Sequence, residues 1–307
     1  DLKSASGREI MEQLLGRADV FLHNLAPGAV DRLGFSAARL RQAYPRLIIC
    51  GISGYGLGGP YQDKKAYDLL IQAEAGVLAV TGTEEAPAKV GIPVADIAAG
   101  LYAYSGILTA LLGRHQTGEG TVLEISMLEA LAEWMGYPAY YTLGGDPPPR
   151  SGAGHAAIAP YGPFATGDGQ LVLLSIQNER EWTRFCERVL EQPTFTTDPR
   201  FHNNSRRVAN RPELEAEITA VFARLSREEI IGRLQRAKIA NAAINSVHDF
   251  LNHPQLAARQ RWQEVDSPVG SLPALLPPVN MAGVEPVMAP VPQAGEHTEQ
   301  ILNELAE

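Results

Sequence analysis

Cysteine is nearly absent: Cys50 and Cys186 are the only two in 307 residues. One sits in an apolar run and the other in a helical pattern, so they specify neither a disulfide framework nor a metal site. They suit a reducing compartment, and a cytoplasmic location is the expectation. The seven histidines form no HExxH or similar ligand cluster, so no metal is expected. Uninterrupted apolar runs never approach the roughly eighteen residues of a membrane span, no signal-peptide pattern is present, and no membrane partner is expected. Positive charge is in deficit, with 26 Lys and Arg against 35 Asp and Glu and a formal net charge of −9. A nucleic-acid surface needs clustered cations, so the balance argues against that class and no nucleic-acid partner is expected. A few local cations are still enough to hold one phosphate group of a small molecule.

Hydrophobic residues at 45% and charged residues at 20% are those of an ordinary globular protein, long enough for one large domain or two modest ones. The chain opens on DLKSASGREI, which reads as the interior of a domain in a longer protein. SGREIMEQLLGRA spaces its apolar residues as a one-sided helix does, ADVFLHNL reads as a buried strand, and AARLRQAYP as a short helix. RLIICGIS is a second buried strand, ending in the Gly-rich turn GYGLGGP. This alternation predicts an α/β layer with a parallel sheet, whose ligands sit beyond the strand C-termini. KAYDLLIQAEAG reads as a helix ended by Gly76, VLAVTG as a strand or turn, TVLEISM as a strand and LEALAEWM as a helix. TLGGDPPPRSGAG, dense in Gly and Pro, reads as a domain boundary or a long crossover. The expected layout is a large domain over 1–140, a linker over 141–150, a smaller α/β domain over 151–262, and a linker over 263–307 that returns to the large domain. The Pro-rich stretch from SPVGSLPALLPPV to PVMAPVPQAGEH is read as extended linker and HTEQILNELAE as a closing helix.

In GIPVADIAAGLYAYSG a lone carboxylate, Asp96, precedes a long helix of small residues. An acid there is expected to cap the helix by accepting from unpaired backbone N–H groups, worth about 1 kcal/mol. The helix dipole favours the anion by roughly 0.3–1 kcal/mol. Both effects lower its pKa, which makes a standing anion suited to be a nucleophile rather than a proton donor. Ala98, Ala99, Gly100, Ala103 and Gly106 permit close helix packing, or leave room for a ligand above the helix start.

The words around Asp96 are more specific than the residue. HNLAPGAVDRLGF, PRLIICGISGYGLGGPY, KKAYDLLIQAEAG, VADIAAG, LLGRHQTGEGTVLEISMLEAL and APYGPFATGDG follow in one order, and NSVHDFLNHPQLAARQ and GEHTEQILNEL close the chain. Together they resemble the class III CoA-transferases, the CaiB–BaiF family that includes formyl-CoA and carnitine CoA-transferases. The resemblance implies a Rossmann-like large domain with a parallel sheet, a smaller α/β domain and interlocked homodimers. It implies that acyl-CoA and a carboxylic acid are the substrates, with no permanently bound cofactor. It makes Asp96 the covalent nucleophile, passing through a mixed anhydride and an aspartyl-CoA thioester. Asn24 and Leu25 resemble the segment lining the CoA nucleotide and Arg32 a phosphate-binding arginine, whose forked donors suit that task. Lys65 resembles the lysine near the CoA diphosphate, Tyr67 the tyrosine along the cofactor, Asp68 the acid beside the nucleophile, and Met127 a methionine at the CoA site. By themselves, Arg32 and Lys65 read as surface charges, Tyr67 as a half-buried aromatic, Asp68 as a solvent-facing acid and Met127 as core. Gly152 and Gly154 correspond to a mobile glycine loop over the nucleophile, where glycine permits unusual φ and close approach. His155 either touches the acceptor carboxylate or makes a structural hydrogen bond.

The resemblance implies a strand–helix region upstream of DLKSASG that holds part of CoA, and this sequence is expected to lack it. Two other functions compete with CoA transfer. An α-methylacyl-CoA racemase would share the fold, but the racemases resemble this chain with His–Asp where it has Tyr67–Asp68, and a tyrosine shuttles a proton poorly near neutrality. A non-catalytic acyl-CoA-binding protein would not need Asp96, Lys65 and Tyr67 together. Overall likeness points to succinate or another small dicarboxylate as a substrate acid.

Overall fold

Residues 1–306 are described by a computed structural model. Ser4 starts the first helix, α1 (Ala5–Arg17), by accepting from the Gly7 N–H at 2.9 Å. Strand β1 (Val20–His23), helices α2 (Ala29–Arg32) and α3 (Ala37–Ala43), and strand β2 (Ile48–Ser53) follow. Then come α4 (Asp68–Glu74), α5 (Val77–Val80), α6 (Val94–Thr117), strand β3 (Val122–Ser126), α7 (Met127–Trp134) and α8 (Gly136–Leu143). The three strands form a parallel sheet in the order β1-β2-β3. Central β2 is the apolar run IICGIS, with Ile48, Ile49 and Cys50 buried, as a strand covered on both faces requires. Alternate side chains go to opposite faces. Ile49 joins Leu15, Phe35 and Leu40 under α1 and α3, and Ile52 packs with Ala98, Ala99 and Ala130 under α6 and α7.

VLAVTG, expected as a strand or turn, is helical over α5. Gly76 at φ +82 ends α4, and its carbonyl accepts from the Ala79 N–H, which restarts the helix at once. Helix α6 is 24 residues long and, among the described residues, the one helix long and apolar enough to cross a membrane. Its apolarity is divided between a small-residue face on the sheet, Ala95, Ala98, Ala99 and Ala103, and an exposed stripe of Ile97, Leu101, Tyr104, Leu108 and Leu112.

A second, antiparallel sheet has the order β4 (Tyr161–Ala165), β5 (Leu171–Ser175) and β6 (Ala240–Ala243). Between β5 and β6 run α9 (Glu179–Phe185), α10 (Asn204–Ala209), α11 (Arg211–Phe222) and α12 (Arg227–Arg236). Trp182, Phe185, Phe201, Leu214, Ile218 and Phe222 form a separate core here. Arg207, 1% exposed, is neutralised within it by Glu179 and donates to the Ala159 and Phe201 carbonyls.

Short helices α13 (Val247–Leu251) and α14 (Pro254–Ala258) lead to an antiparallel pair, β7 (Trp262–Val265) and β8 (Leu272–Leu275). Strand β8 lies inside the Pro-rich stretch read as linker. Pro273 pairs with Glu264 at an edge, where a missing N–H is tolerated. The last described element is α15 (Thr298–Ala306), which meets α1 where the Arg17 guanidinium donates to the Glu304 carbonyl.

Candidate active site

Asp96 does not cap α6. Pro93 is the N-cap, and Asp96 is the third helical residue, solvent-facing and flanked by buried Ala95 and Ala98. The cap comes from elsewhere in the chain: the Ala95 N–H donates to Asp68 Oδ1 at 2.8 Å. Asp68 Oδ2 accepts from Gln72 Nε2 at 2.7 Å, and Gln72 Oε1 accepts from the Val90 N–H at 2.9 Å. Asp68 is therefore half-buried and fully engaged, not a solvent-facing acid. The expectation of a lowered Asp96 pKa is also corrected. Partial desolvation and the Asp68 charge raise it above the ordinary carboxylate value, since both disfavour ionisation. A more basic carboxylate is a stronger nucleophile. A Cβ on Gly100, one turn on from Asp96, would meet nothing within 4 Å, so space is open beside the acid.

The other sequence-predicted groups lie beyond the C-termini of the parallel strands. Asn24 and Leu25 follow β1, and Met127 follows β3. Gly54 follows β2 and packs so tightly that a Cβ there would come within 2.1 Å of the Ala66 Cβ. The Gly54 carbonyl accepts from the Leu128 N–H at 3.0 Å. These contacts bring the segment Lys65–Tyr67 beside the start of α7. Met127 is half-buried and packs both with the alanine cluster of α6 and with Val94 and Ala95, so core packing accounts for it. Lys64 is paired with Glu74 and lies over the Tyr55 and Tyr61 rings. Lys65 is exposed and, among the described residues, has no ion pair. Tyr67 is 71% exposed, more open than the half-buried aromatic expected.

Leu25 lines a cleft of about 160 Å³ with His23, Pro27, Gly51, Ser53 and Glu124. Sheet register sets His23, Gly51 and Glu124 in one row. A Cβ on Gly51 would touch the His23 ring at 3.3 Å. Burial holds the His23 pKa below its ordinary value despite the opposing charge of Asp31. Exposed Arg32 folds back over Gly28, with Nη1 2.9 Å from where a Cβ would sit. The structure thus sets Asp96, Asp68, Met127 and the Lys65–Tyr67 segment together, while Asn24 and Leu25 follow β1 and Arg32 lies over Gly28, which lines the same cleft as Leu25. A larger apolar groove of about 740 Å³ between α5 and α8 is lined by none of these residues.

The glycine segment is anchored to the loop before α6. The Gly152 N–H donates to the Gly82 carbonyl at 2.8 Å, and Arg150 donates to the Thr83 and Glu84 carbonyls. Gly152 has φ +60, and a Cβ on Gly154 would press on the Ser151 carbonyl oxygen at 3.2 Å. His155 stacks on Tyr161 with ring centroids 5.2 Å apart, and its Nδ1 accepts from the Ala157 N–H at 3.1 Å.

The family model of CoA-transferase family III matches residues 1–298. The chain belongs to that family. It is 34% identical over 315 residues to an acyl-CoA transferase of Fusarium pseudograminearum, covering 99% of this chain and 68% of the relative. It is 30% identical to the succinate–glutarate CoA-transferase of Agrobacterium fabrum, covering 99% of this chain and 77% of that one. The crystal structure of a CaiB/BaiF family protein from Brucella suis superposes with a TM-score of 0.86 at 30% identity, over 99% of this chain and 80% of that one. Class III CoA-transferase activity is supported, and CoA thioesters are the substrates of such enzymes.

For a family III CoA-transferase, the group that sequence reasoning missed is Gln72, fully buried and bonded on both sides. Its signal is the spacing of Asp68 and Gln72 in YDLLIQ, where residues four apart meet on one helix face.

Proposed function

We propose that this chain moves CoA from an acyl-CoA donor to a carboxylic acid with Asp96 as the covalent relay. Asp96 Oδ attacks the thioester carbonyl, the C–S bond breaks, and a mixed anhydride and CoA thiolate result. The thiolate attacks the Asp96 carbonyl carbon, forming the aspartyl-CoA thioester and releasing the donor acid. An acceptor carboxylate then attacks that thioester, and the returning thiolate takes the acceptor's acyl group. Asp96 regains its carboxylate, and no net proton is consumed. Dividing one exchange into steps of similar energy is what covalent catalysis contributes.

The observation carrying this reading is an open, more basic carboxylate on a helix start that Asp68 caps through the Ala95 N–H, near the C-terminal ends of a parallel sheet, where such sheets bind ligands. Exposed Arg32 and unpaired Lys65 are assigned to the CoA phosphates, Tyr67, Asn24 and Leu25 to its body, and Gly152 and Gly154 to a cover that excludes water from the anhydride. The acid exchanged is a small dicarboxylate such as succinate, in keeping with the succinate–glutarate relative. A second copy of the chain, in an interlocked dimer, covers the exposed stripe of α6. Tyr67 in place of an imidazole sets the chain apart from racemases. Incubation with succinyl-CoA followed by intact-mass measurement tests the proposal: wild type gains a CoA thioester and Asp96→Ala does not.

A further inference from the structure

Among the described residues, Gln72 is the one side chain that holds, at the same time, the acid beside the candidate nucleophile and the loop leading to its helix. We infer that Gln72 is a positioning residue for CoA transfer, fixing the Asp68 carboxylate against the first turn of α6 so that Asp96 keeps its reactive placement. The inference rests on the Asp96 reading above and adds a residue to it. Gln72 is 0% exposed, and a buried amide must have both its ends satisfied. Its Nε2 donates to Asp68 Oδ2 at 2.7 Å, and its Oε1 accepts from the Val90 N–H at 2.9 Å. Only this orientation of the amide serves both partners, because Val90 offers a donor and Asp68 an acceptor. Asp68 Oδ1 then faces the Ala95 N–H, next to Asp96.

Val90 lies in the loop between α5 and α6, whose earlier residues carry the glycine segment. The Ala88 N–H donates to the Thr81 carbonyl at 2.9 Å, and the Gly82 carbonyl takes the Gly152 N–H. Gln72 thus stands where the loop under the glycine segment and the nucleophile's helix are tied together. The charged groups around it are Asp68 on its own helix, Asp96 on α6, and Lys89, whose ammonium donates to the Val90 and Gly91 carbonyls. The preceding residue of its helix, Ile71, joins Val77, Val94 and Leu131 in one buried apolar cluster. No proton moves through Gln72, and it does not touch the reacting atoms.

Two variants separate positioning from bulk structure. Gln72→Met keeps the volume and loses both hydrogen bonds. Gln72→Glu, when protonated, reproduces both by donating to Asp68 and accepting from Val90. When ionised it loses the donor and sets a second anion against Asp68. The rate of Asp96–CoA thioester formation from succinyl-CoA is measured by intact mass between about pH 5 and pH 8, together with the donor KM and the melting temperature of each variant. Gln72→Met is expected to slow thioester formation about tenfold or more across the range, the loss expected for a charge-assisted hydrogen bond, with donor KM within about twofold. Gln72→Glu is expected to run near the wild-type rate at the acid end and to fall toward Gln72→Met at the alkaline end. If Gln72→Met does not fold, the slope of Gln72→Glu against pH decides. Wild-type rates in Gln72→Met, or a Gln72→Glu rate that parallels wild type across the range, overturn the inference while leaving Asp96 as the nucleophile. A wild-type protein that forms no Asp96 adduct overturns the Asp96 reading, and this inference with it.

Discussion

Asp68→Ala would remove a cap that the chain supplies from 27 residues away. Three terms set its cost. The Ala95 N–H loses a carboxylate acceptor at a helix start, worth about 1 kcal/mol. The Gln72 amide is left buried without an acceptor, which costs about 1–3 kcal/mol. The anion leaves the positive end of α6, a further 0.3–1 kcal/mol or so. Relief of repulsion toward Asp96 offsets some of this, so the net destabilisation is about 2–3 kcal/mol. Asp68→Asn keeps an oxygen for Ala95 and turns an amide toward the Gln72 donor, so about half that cost is expected. Urea denaturation reads both as a fall in midpoint at unchanged slope. Because the Asp68 charge raises the Asp96 pKa, either substitution should also move the pH midpoint of Asp96–CoA formation downward. Stability of Asp68→Ala within about 0.5 kcal/mol of wild type, the scatter of an ordinary surface substitution, would refute the reasoning.

His23 and Glu179 supply the remaining predictions. The folded-state pKa of His23 lies below the model-peptide value of 6.5, so the unfolded chain binds its proton first. The associated stability is present above pH 6.5 and is lost as pH falls below it. His23→Leu should flatten the melting temperature against pH in that window, and an unchanged slope would count against burial as the cause. Glu179→Ala leaves the Arg207 guanidinium buried with no anion, facing the Ala159 and Phe201 carbonyls and the Trp182 ring. Unfolding in urea should show a loss of about 3 kcal/mol, the cost of an uncompensated buried charge. A loss below about 1 kcal/mol, as for an exposed pair, would contradict it.

The legible parts of this fold are those with local causes. RLIICGIS announces a strand buried on both faces because continuous apolarity has few other uses, and β2 follows. Helix α8 carries Gly136 and Pro138, which disfavour a helix by propensity, although a proline is harmless within a helix's first turn. Strand β8 was hidden by Pro273, which an edge strand accommodates. Asp96 shows the limit most sharply. VAD looks like a cap followed by a helix, but Pro93 starts α6 one turn earlier in register and Asp68 reaches in to satisfy Ala95. No periodicity reports a contact made by two helices meeting in space. The acid's surroundings, and with them the direction of its pKa shift, became visible only in three dimensions. The candidate site residues came from ordered motifs rather than spacing, and Asn24, Leu25 and Met127 among them follow the C-termini of parallel strands.

The central claim is that a bond forms between Asp96 and the sulfur of CoA. Peptide mapping of wild-type protein quenched during turnover of succinyl-CoA tests it most directly. The expected result is a peptide containing Asp96 whose mass rises by CoA less water, absent from Asp96→Ala protein. CoA transfer by wild type with that peptide unmodified, or equal transfer by Asp96→Ala, would contradict it.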